Sequence, residues 1–516
     1  MSTTKKPTVA KTIESAKRES GVLLPIPALM SEYGIGDFGR NAYSFIDYIA
    51  GMGFSVWQIL PITTIGAGNS PYSGVSAFAG NYMLIDLESI PERLLTTDEK
   101  NSAKYYGSVY KTDYAFVADS KKRLLRTAFS RLDDKDNAAI NAFKKRNLEW
   151  LDDYALYSAL REKFGCGFTQ WDEKYKFRNK ETIKIAKTEL KDQMRFFYFE
   201  QYVFSEQWQA LKNCANQHGV KILGDMPIYV DHESVDVWSF PKIFDLDIEL
   251  KPKRIAGVPP DYFADDGQLW GNPVYNFTEM EKTKFRWLVS RMKRNLEMYD
   301  MLRIDHFRGL YQFWAIDAQS DTAKKGTWVD GPKLKLWRAV ARRIRKPSII
   351  AEDLGIIDEP VRKYLNTLGF PGMRVFQFGF DGSSDNTHLP HNYQQNSVAY
   401  VATHDNNTTL GWLYRLDNIT RERVLSYLFA EHSEWGMGGG QSPAVKESIR
   451  AVLASSSNLA IILFQDMCGY GSDTRINSPG VPEGNWEYRT TFAAFEEIDT
   501  SYFLRLNRQY GRTDRI

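Results

Sequence analysis

MLRIDHF, residues 301–307, opens apolar and carries an acid and a histidine, Asp305 and His306, just before its last residue. Met301, Leu302 and Ile304 read as a short strand buried on both faces, the habit of parallel strands covered by helices. Arg303 and Asp305 are two apart, so on a strand their side chains share a face. Seven other segments have the same character: SVWQILPI (55–62), NYMLIDL (81–87), VKILGDMPIYV (220–230), SIIAEDL (348–354), GMRVFQF (372–378), SVAYVATHD (397–405) and NLAIILFQD (458–466). Helical patterns lie between most of them. In NAYSFIDYIAGMGF (41–54), Phe45, Ile46, Ile49 and Ala50 fall on one face, and glycines close the C-terminal end. Eight strands alternating with helices predict an α/β chain folded as a (β/α)₈ TIM barrel.

The spacing between these strands is uneven. Residues 88–219 are rich in Lys, Glu, Leu, Phe and Tyr with helical periodicity. A plain βα connection is far shorter, so this stretch is expected to be a mainly helical inserted subdomain. Residues 231–300 contain the Gly-, Pro- and Asp-rich KPKRIAGVPPDYFADDGQLWGNPVYNF. They are expected to form a loop over the active site, then a helix over about 278–299. The whole chain, 1–516, is read as one catalytic barrel domain carrying both insertions, with residues 1–20 a short disordered tail or a first helix.

Composition narrows the function. With 66 basic against 64 acidic residues, the net charge of +2 gives no reason to expect nucleic acid. The three cysteines, Cys166, Cys214 and Cys468, are far apart and have no zinc-like spacing. The first twenty residues lack an apolar signal core, and no apolar run approaches a membrane span, so a cytoplasmic protein away from the membrane is expected. Aromatic residues make up 14% of the chain. Their faces suit sugars, although most rings in any protein belong to the core.

Four of the predicted strands end in acids: Asp225, Asp305, Glu352 and the pair His404–Asp405. Strand C-terminal ends of a barrel converge on one pocket. A single strand-end acid is as readily a helix cap. Four together, with Arg303 and His404 among them, make an electrostatic cost that only chemistry explains. Glycoside cleavage needs such a set: an ionised carboxylate to attack the anomeric carbon and a protonated one for the leaving oxygen. Asp305 and Glu352, on neighbouring strands, suit the 5–5.5 Å separation typical of retention. A metal site built from His404–Asp405 and Asp305–His306 is a second reading, but no third or fourth ligand stands at typical spacing.

The order Asp225, Arg303-x-Asp305, Glu352, His404–Asp405 resembles the α-amylase clan, and the wider text is similar to one branch, the 4-α-glucanotransferases or amylomaltases of glycoside hydrolase family 77. The resemblance is carried by NSPYSGVSAFAGN (69–81), GDMPIYV (224–230), GVPPDYFADDGQLWGNPVY (257–275), RIDHFRG (303–309), AEDLG (351–355), PGMRVFQF (371–378), THDNNTTLGW (403–412) and RINSPGVPEGNW (475–486). It implies a cofactor-free transferase of carbohydrate metabolism, acting on α-1,4-glucans and maltooligosaccharides with glucose or maltose as acceptor. It implies Asp305 as nucleophile, Glu352 as acid and base, and Asp405 as the group that binds sugar hydroxyls and stabilises the transition state. Arg303 would hold Asp305 ionised, and Asp225 and His404 would hydrogen-bond the sugar beside the scissile bond. Tyr72 would stack on that sugar, Gln268 and Trp270 would close over the acceptor side, and Ser70 and Asn477 would line the donor cleft. Tyr82, Lys333 and Asn276–Phe277 depart from the family pattern, away from the carboxylates.

Two other functions use the same residues: a retaining α-glucan hydrolase, and an inert glycan-binding protein, against which the intact set Asp305, Glu352 and Asp405 argues. GIGDFG (34–39) satisfies G-x-G-x-x-G but lacks a clean preceding strand and an acid about 20 residues on. RRIRK (342–346) reads as a solvated helix end.

Overall fold

The computed structural model describes residues 18–260, 266–431, 433–481 and 483–515. All but the last three residues of the expected N-terminal tail, and Asp261–Asp265 of the long loop, lie outside the described residues.

The chain forms β1 (Glu19–Leu23), β2 (Val56–Gln58) and β3 (Lys221–Met226), then β4 (Arg254–Val258) and β5 (Gln268–Pro273), which leave the barrel. After β6 (Met301–Ile304), β7 (Gln312–Asp317) and β8 (Gly326–Asp330) leave it again. It ends with β9 (Ile349–Ala351), β10 (Gly372–Val375), β11 (Ser397–Tyr400) and β12 (Leu459–Leu463). Strands β1, β2, β3, β6, β9, β10, β11 and β12 pair in parallel in that order, and β12 pairs back to β1 to close the TIM barrel.

Alternation along each strand makes two apolar surfaces. Leu23, Val56, Leu223, Met301, Ile350, Val398, Leu459, Ile461 and Leu463 form one buried cluster inside the barrel. Val22, Trp57, Ile222, Leu302, Ile304 and Ile462 belong to a second, packed against the helices. Full burial of each such side chain is worth about 1.5–3 kcal/mol, so both faces hold the barrel.

The expected strand NYMLIDL (81–87) is not one. Tyr82–Leu84 is a single 3₁₀ turn, held by the Asn81 side chain accepting from the Met83 N–H at 3.1 Å. The first barrel strand is instead ESGVL, in front of Pro25 and Pro27. Those prolines argue against a strand in the sequence, yet they fall just past its end, where Ile26–Ala28 turns away and no ladder N–H is required of them.

Between β2 and β3 the chain is largely helical, including Tyr114–Ser130, Asp134–Arg146, Leu151–Phe164 and the 27-residue Lys191–Gln217, which returns the chain to the barrel. The stretch 231–300 is more ordered than a loop and one helix. It holds β4, β5, a short helix Val235–Ser239, and the helices Phe277–Lys282 and Arg286–Met298, the last two separated by Lys284 and Phe285 at positive φ. Strands β4 and β5 join β7 and β8 in an antiparallel sheet of order β5-β4-β7-β8. Gly257 permits the close approach of β4 to β5, since a Cβ there would stand 2.2 Å from the Gln268 carbonyl oxygen. Among the described residues no helix is long and apolar enough to cross a membrane.

Candidate active site

The alternation that fills the barrel also delivers the acids to its mouth. On β3 the inward series Leu223 continues to Asp225, and on β6 Met301 continues to Arg303 and then Asp305. Ile350 of β9 leads to Glu352, and Val398, Tyr400 and Ala402 lead to His404. These residues open into a cavity of about 570 Å³ lined by Ser70, Tyr72, Gln268, Trp270, Arg303, Asp305, Glu352, His404, Asp405 and Asn477. Of the residues expected from sequence, only Asp225 stands outside the lining; it is 1% exposed and lies beneath Arg303.

Arg303 joins two acids. Its Nη1 donates to Asp225 Oδ2 at 2.5 Å and its Nη2 meets Asp305 Oδ1 at 3.1 Å. The Tyr72 hydroxyl donates to Asp225 Oδ2 at 2.7 Å and lies 2.8 Å from His404 Nε2. With its own proton on Asp225, the phenol oxygen accepts from a protonated Nε2, which also faces Asp405 Oδ2 at 3.2 Å. The Tyr72 and His404 rings stack, centroids 5.3 Å apart. Asn477 Nδ2 donates to Asp405 Oδ1 at 2.6 Å, and Arg475 holds the Asp405 carbonyl at 2.5 Å.

The carboxyl groups are driven apart in acidity. Burial pushes Glu352 up to about 8, although each of its oxygens accepts a main-chain N–H, from His306 at 2.7 Å and from Leu354 at 2.6 Å. Burial also raises Asp305, but the adjacent Arg303 guanidinium opposes it and limits the rise to about 6. For Asp405 burial acts in the same sense but is outweighed by His404, Asn477 and Arg303, which hold it well below the usual carboxylate range. Near neutral pH the site therefore holds a protonated acid beside ionised ones, the division that acid-assisted displacement requires.

The rim is aromatic. Gln268 Oε1 accepts from Trp270 Nε1 at 3.0 Å, so both residues of β5 are fixed as one piece of wall. Trp270 stands between Tyr229, at 6.2 Å, and His306, at 4.9 Å. The Ser70 hydroxyl accepts from the Tyr72 N–H at 3.2 Å and shapes the loop beneath that ring.

Sequence reasoning missed Trp486, which lines the cavity 5.7 Å from Tyr72 and 6.1 Å from His404. It also passed over Arg475 as a second holder of Asp405. A signal existed for Trp486: like Trp270, it stands in a stretch of sequence rich in Gly and Pro, GVPEGNW, rather than in a periodic apolar segment. Among the described residues no group of three or more His, Cys, Asp or Glu side chains is arranged for a metal ion. Arg303 puts a fixed positive charge between Asp225 and Asp305.

A family model described as 4-alpha-glucanotransferase, glycoside hydrolase family 77, matches residues 24–494. The 4-alpha-glucanotransferase of Clostridium butyricum is 40% identical over 95% of this chain and all of its own length. That of Aquifex aeolicus is 42% identical over 92% of this chain and 95% of its own. Among solved structures, the amylomaltase of Streptococcus agalactiae in complex with acarbose superposes with a TM-score of 0.92 at 35% identity, covering 96% of this chain and 100% of that one.

Proposed function

The chain belongs to the 4-alpha-glucanotransferase family, and on that premise we propose that Asp305, Glu352 and Asp405 transfer α-1,4-glucan segments by a retaining double displacement. A carboxylate oxygen of Asp305 attacks the anomeric carbon while Glu352 gives its proton to the departing glycosidic oxygen. The reducing-end fragment leaves, and a β-linked glycosyl–Asp305 ester remains. The 4-hydroxyl of an incoming glucose, maltose or longer glucan then gives its proton to Glu352 and attacks the same carbon. The ester bond breaks, and the new bond regains the α configuration.

The observation that carries this reading is the geometry around Arg303: its guanidinium meets Asp305 at 3.1 Å and opposes the rise of that carboxyl, while Glu352, enclosed beside it and held by the His306 and Leu354 N–H groups, is pushed up by burial. Asp405, kept ionised by its neighbours, faces the positive charge that develops on the sugar ring. His404 binds hydroxyls of the sugar beside the scissile bond and Tyr72 stacks on it, while Asp225, enclosed beneath the cavity, acts through the Arg303 and Tyr72 side chains that it holds. Ser70 and Asn477 line the donor side. Gln268 and Trp270 form the acceptor wall, where a seated sugar displaces the water that would otherwise hydrolyse the ester.

Maltotriose supplied alone, with products resolved by length, tests the reading. Transfer gives glucose and a ladder of longer maltooligosaccharides at a constant number of reducing ends. Maltose and glucose with rising reducing ends make the chain a hydrolase, and no reaction removes the catalytic reading.

A further inference from the structure

His306 takes no part in these steps, yet it touches both halves of the site. Its backbone is left-handed, φ 44° and ψ 51°, a conformation few non-glycine residues adopt. The twist aims the His306 N–H at Glu352 Oε2, 2.7 Å away. The next N–H, of Phe307, reaches the main-chain carbonyl of Glu352 at 3.1 Å. One turn thus grips the acid by side chain and main chain together.

The imidazole serves the other half. It meets the Trp270 ring edge to face, centroids 4.9 Å apart and planes at 88°. Its Nε2 is buried with no hydrogen-bond partner among the described residues, so no polar tether at that nitrogen competes with this packing. Gly309 leaves the ring its room: a Cβ there would stand 3.2 Å from His306 Cδ2.

We propose that His306 is a positioning residue that couples the acceptor wall to the general acid, its left-handed backbone fixing Glu352 and its ring fixing Trp270. This rests on the reading of Glu352 as acid and Trp270 as acceptor wall. A sugar seated against Trp270 steadies the turn that aims Glu352, so proton transfer is best arranged when an acceptor, rather than water, fills the site.

Two variants separate the two halves. His306→Val disfavours the left-handed backbone, whereas His306→Asn tolerates it and removes the ring. Each is given maltotriose, whose leaving group needs a proton, and α-maltosyl fluoride, whose fluoride departs without one, and first-turnover cleavage is followed. His306→Val is expected to lose about 10²-fold on maltotriose, the scale of a small misplacement of a catalytic group, with fluoride release close to that of the unaltered protein. His306→Asn is expected to keep maltotriose cleavage, raise the KM for glucose as acceptor and increase the hydrolysed share. Equal losses on both donors in His306→Val, or an unchanged acceptor KM and hydrolysed share in His306→Asn, overturn the coupling. Glu352→Gln is run beside them. If it too fails to distinguish the donors, the assignment of Glu352 has fallen and takes the coupling with it.

Discussion

Replacing Glu352 with glutamine separates what this carboxyl does for catalysis from what it costs the fold. Its side chain is nearly enclosed, and burial lifts its pKa from an ordinary 4.5 to about 8. Between those values the unfolded chain has released the proton and the folded chain has kept it. A group raised in the folded state stabilises fully below its unfolded pKa, and that contribution is lost as pH rises through the folded one. The slope is about 1.4 kcal/mol per pH unit, and from pH 5 to pH 8 the loss integrates to about 3 kcal/mol. Glutamine does not titrate. Its amide group meets one of the two N–H donors that now face carboxylate oxygens, which costs about 1–3 kcal/mol but equally at every pH. Asp305 titrates in both proteins, so its own contribution largely cancels in the difference. The stability of Glu352→Gln minus that of the unaltered protein is therefore expected to climb by about 3 kcal/mol between pH 5 and pH 8, whatever its value at pH 5. Urea unfolding at fixed temperature across that range measures it. On maltotriose the same variant should lose about 10²–10⁴-fold in kcat/KM, the usual worth of a general acid. Parallel stability profiles would refute the reasoning: the carboxyl would already be ionised in the folded protein at pH 5, and Glu352 would have no proton to give.

Two further outcomes follow from the same carboxyl groups. The pH profile of kcat/KM on maltotriose should be bell-shaped, rising through about 6 as Asp305 ionises and falling through about 8 as Glu352 loses its proton; these are apparent values of the interacting pair, and a rate flat from pH 5 to 9 would contradict the division of roles. Asp305→Asn should abolish turnover while maltoheptaose still binds, measured by calorimetry, because the cavity keeps its aromatic rim and its other carboxyls; residual turnover near that of the unaltered protein would remove Asp305 as nucleophile.

What was legible in the sequence follows a physical rule: residues stood out where their chemistry opposed their location. Arg303, Asp305 and Glu352 sit at the ends of strongly apolar strands, where packing gives no reason for a charge. The two-residue period of a strand then put Arg303 and Asp305 on one face, and the structure brings them to 3.1 Å. Segments that obeyed ordinary preferences were harder to place. NYMLIDL is apolar enough for a strand, but nothing in it records that its apolar side chains pack around a 3₁₀ turn outside the barrel. ESGVL is short and followed by prolines, and it becomes a barrel strand because β2 and β12 stand on either side of it, their paired residues about 35 and about 440 positions along the chain. The sheet of β4, β5, β7 and β8 was hidden for the same reason: its β4–β7 pairing joins segments some 60 residues apart, and the Gly and Pro content around β4 and β5 reads locally as loop. Trp486 was hidden by the reverse effect, since one tryptophan among 13 is ordinarily a core residue. Chemistry that costs stability is visible in a single sequence because it contradicts packing. Pairing and apolar binding surfaces agree with packing, so they emerge only when distant parts of the chain are brought together.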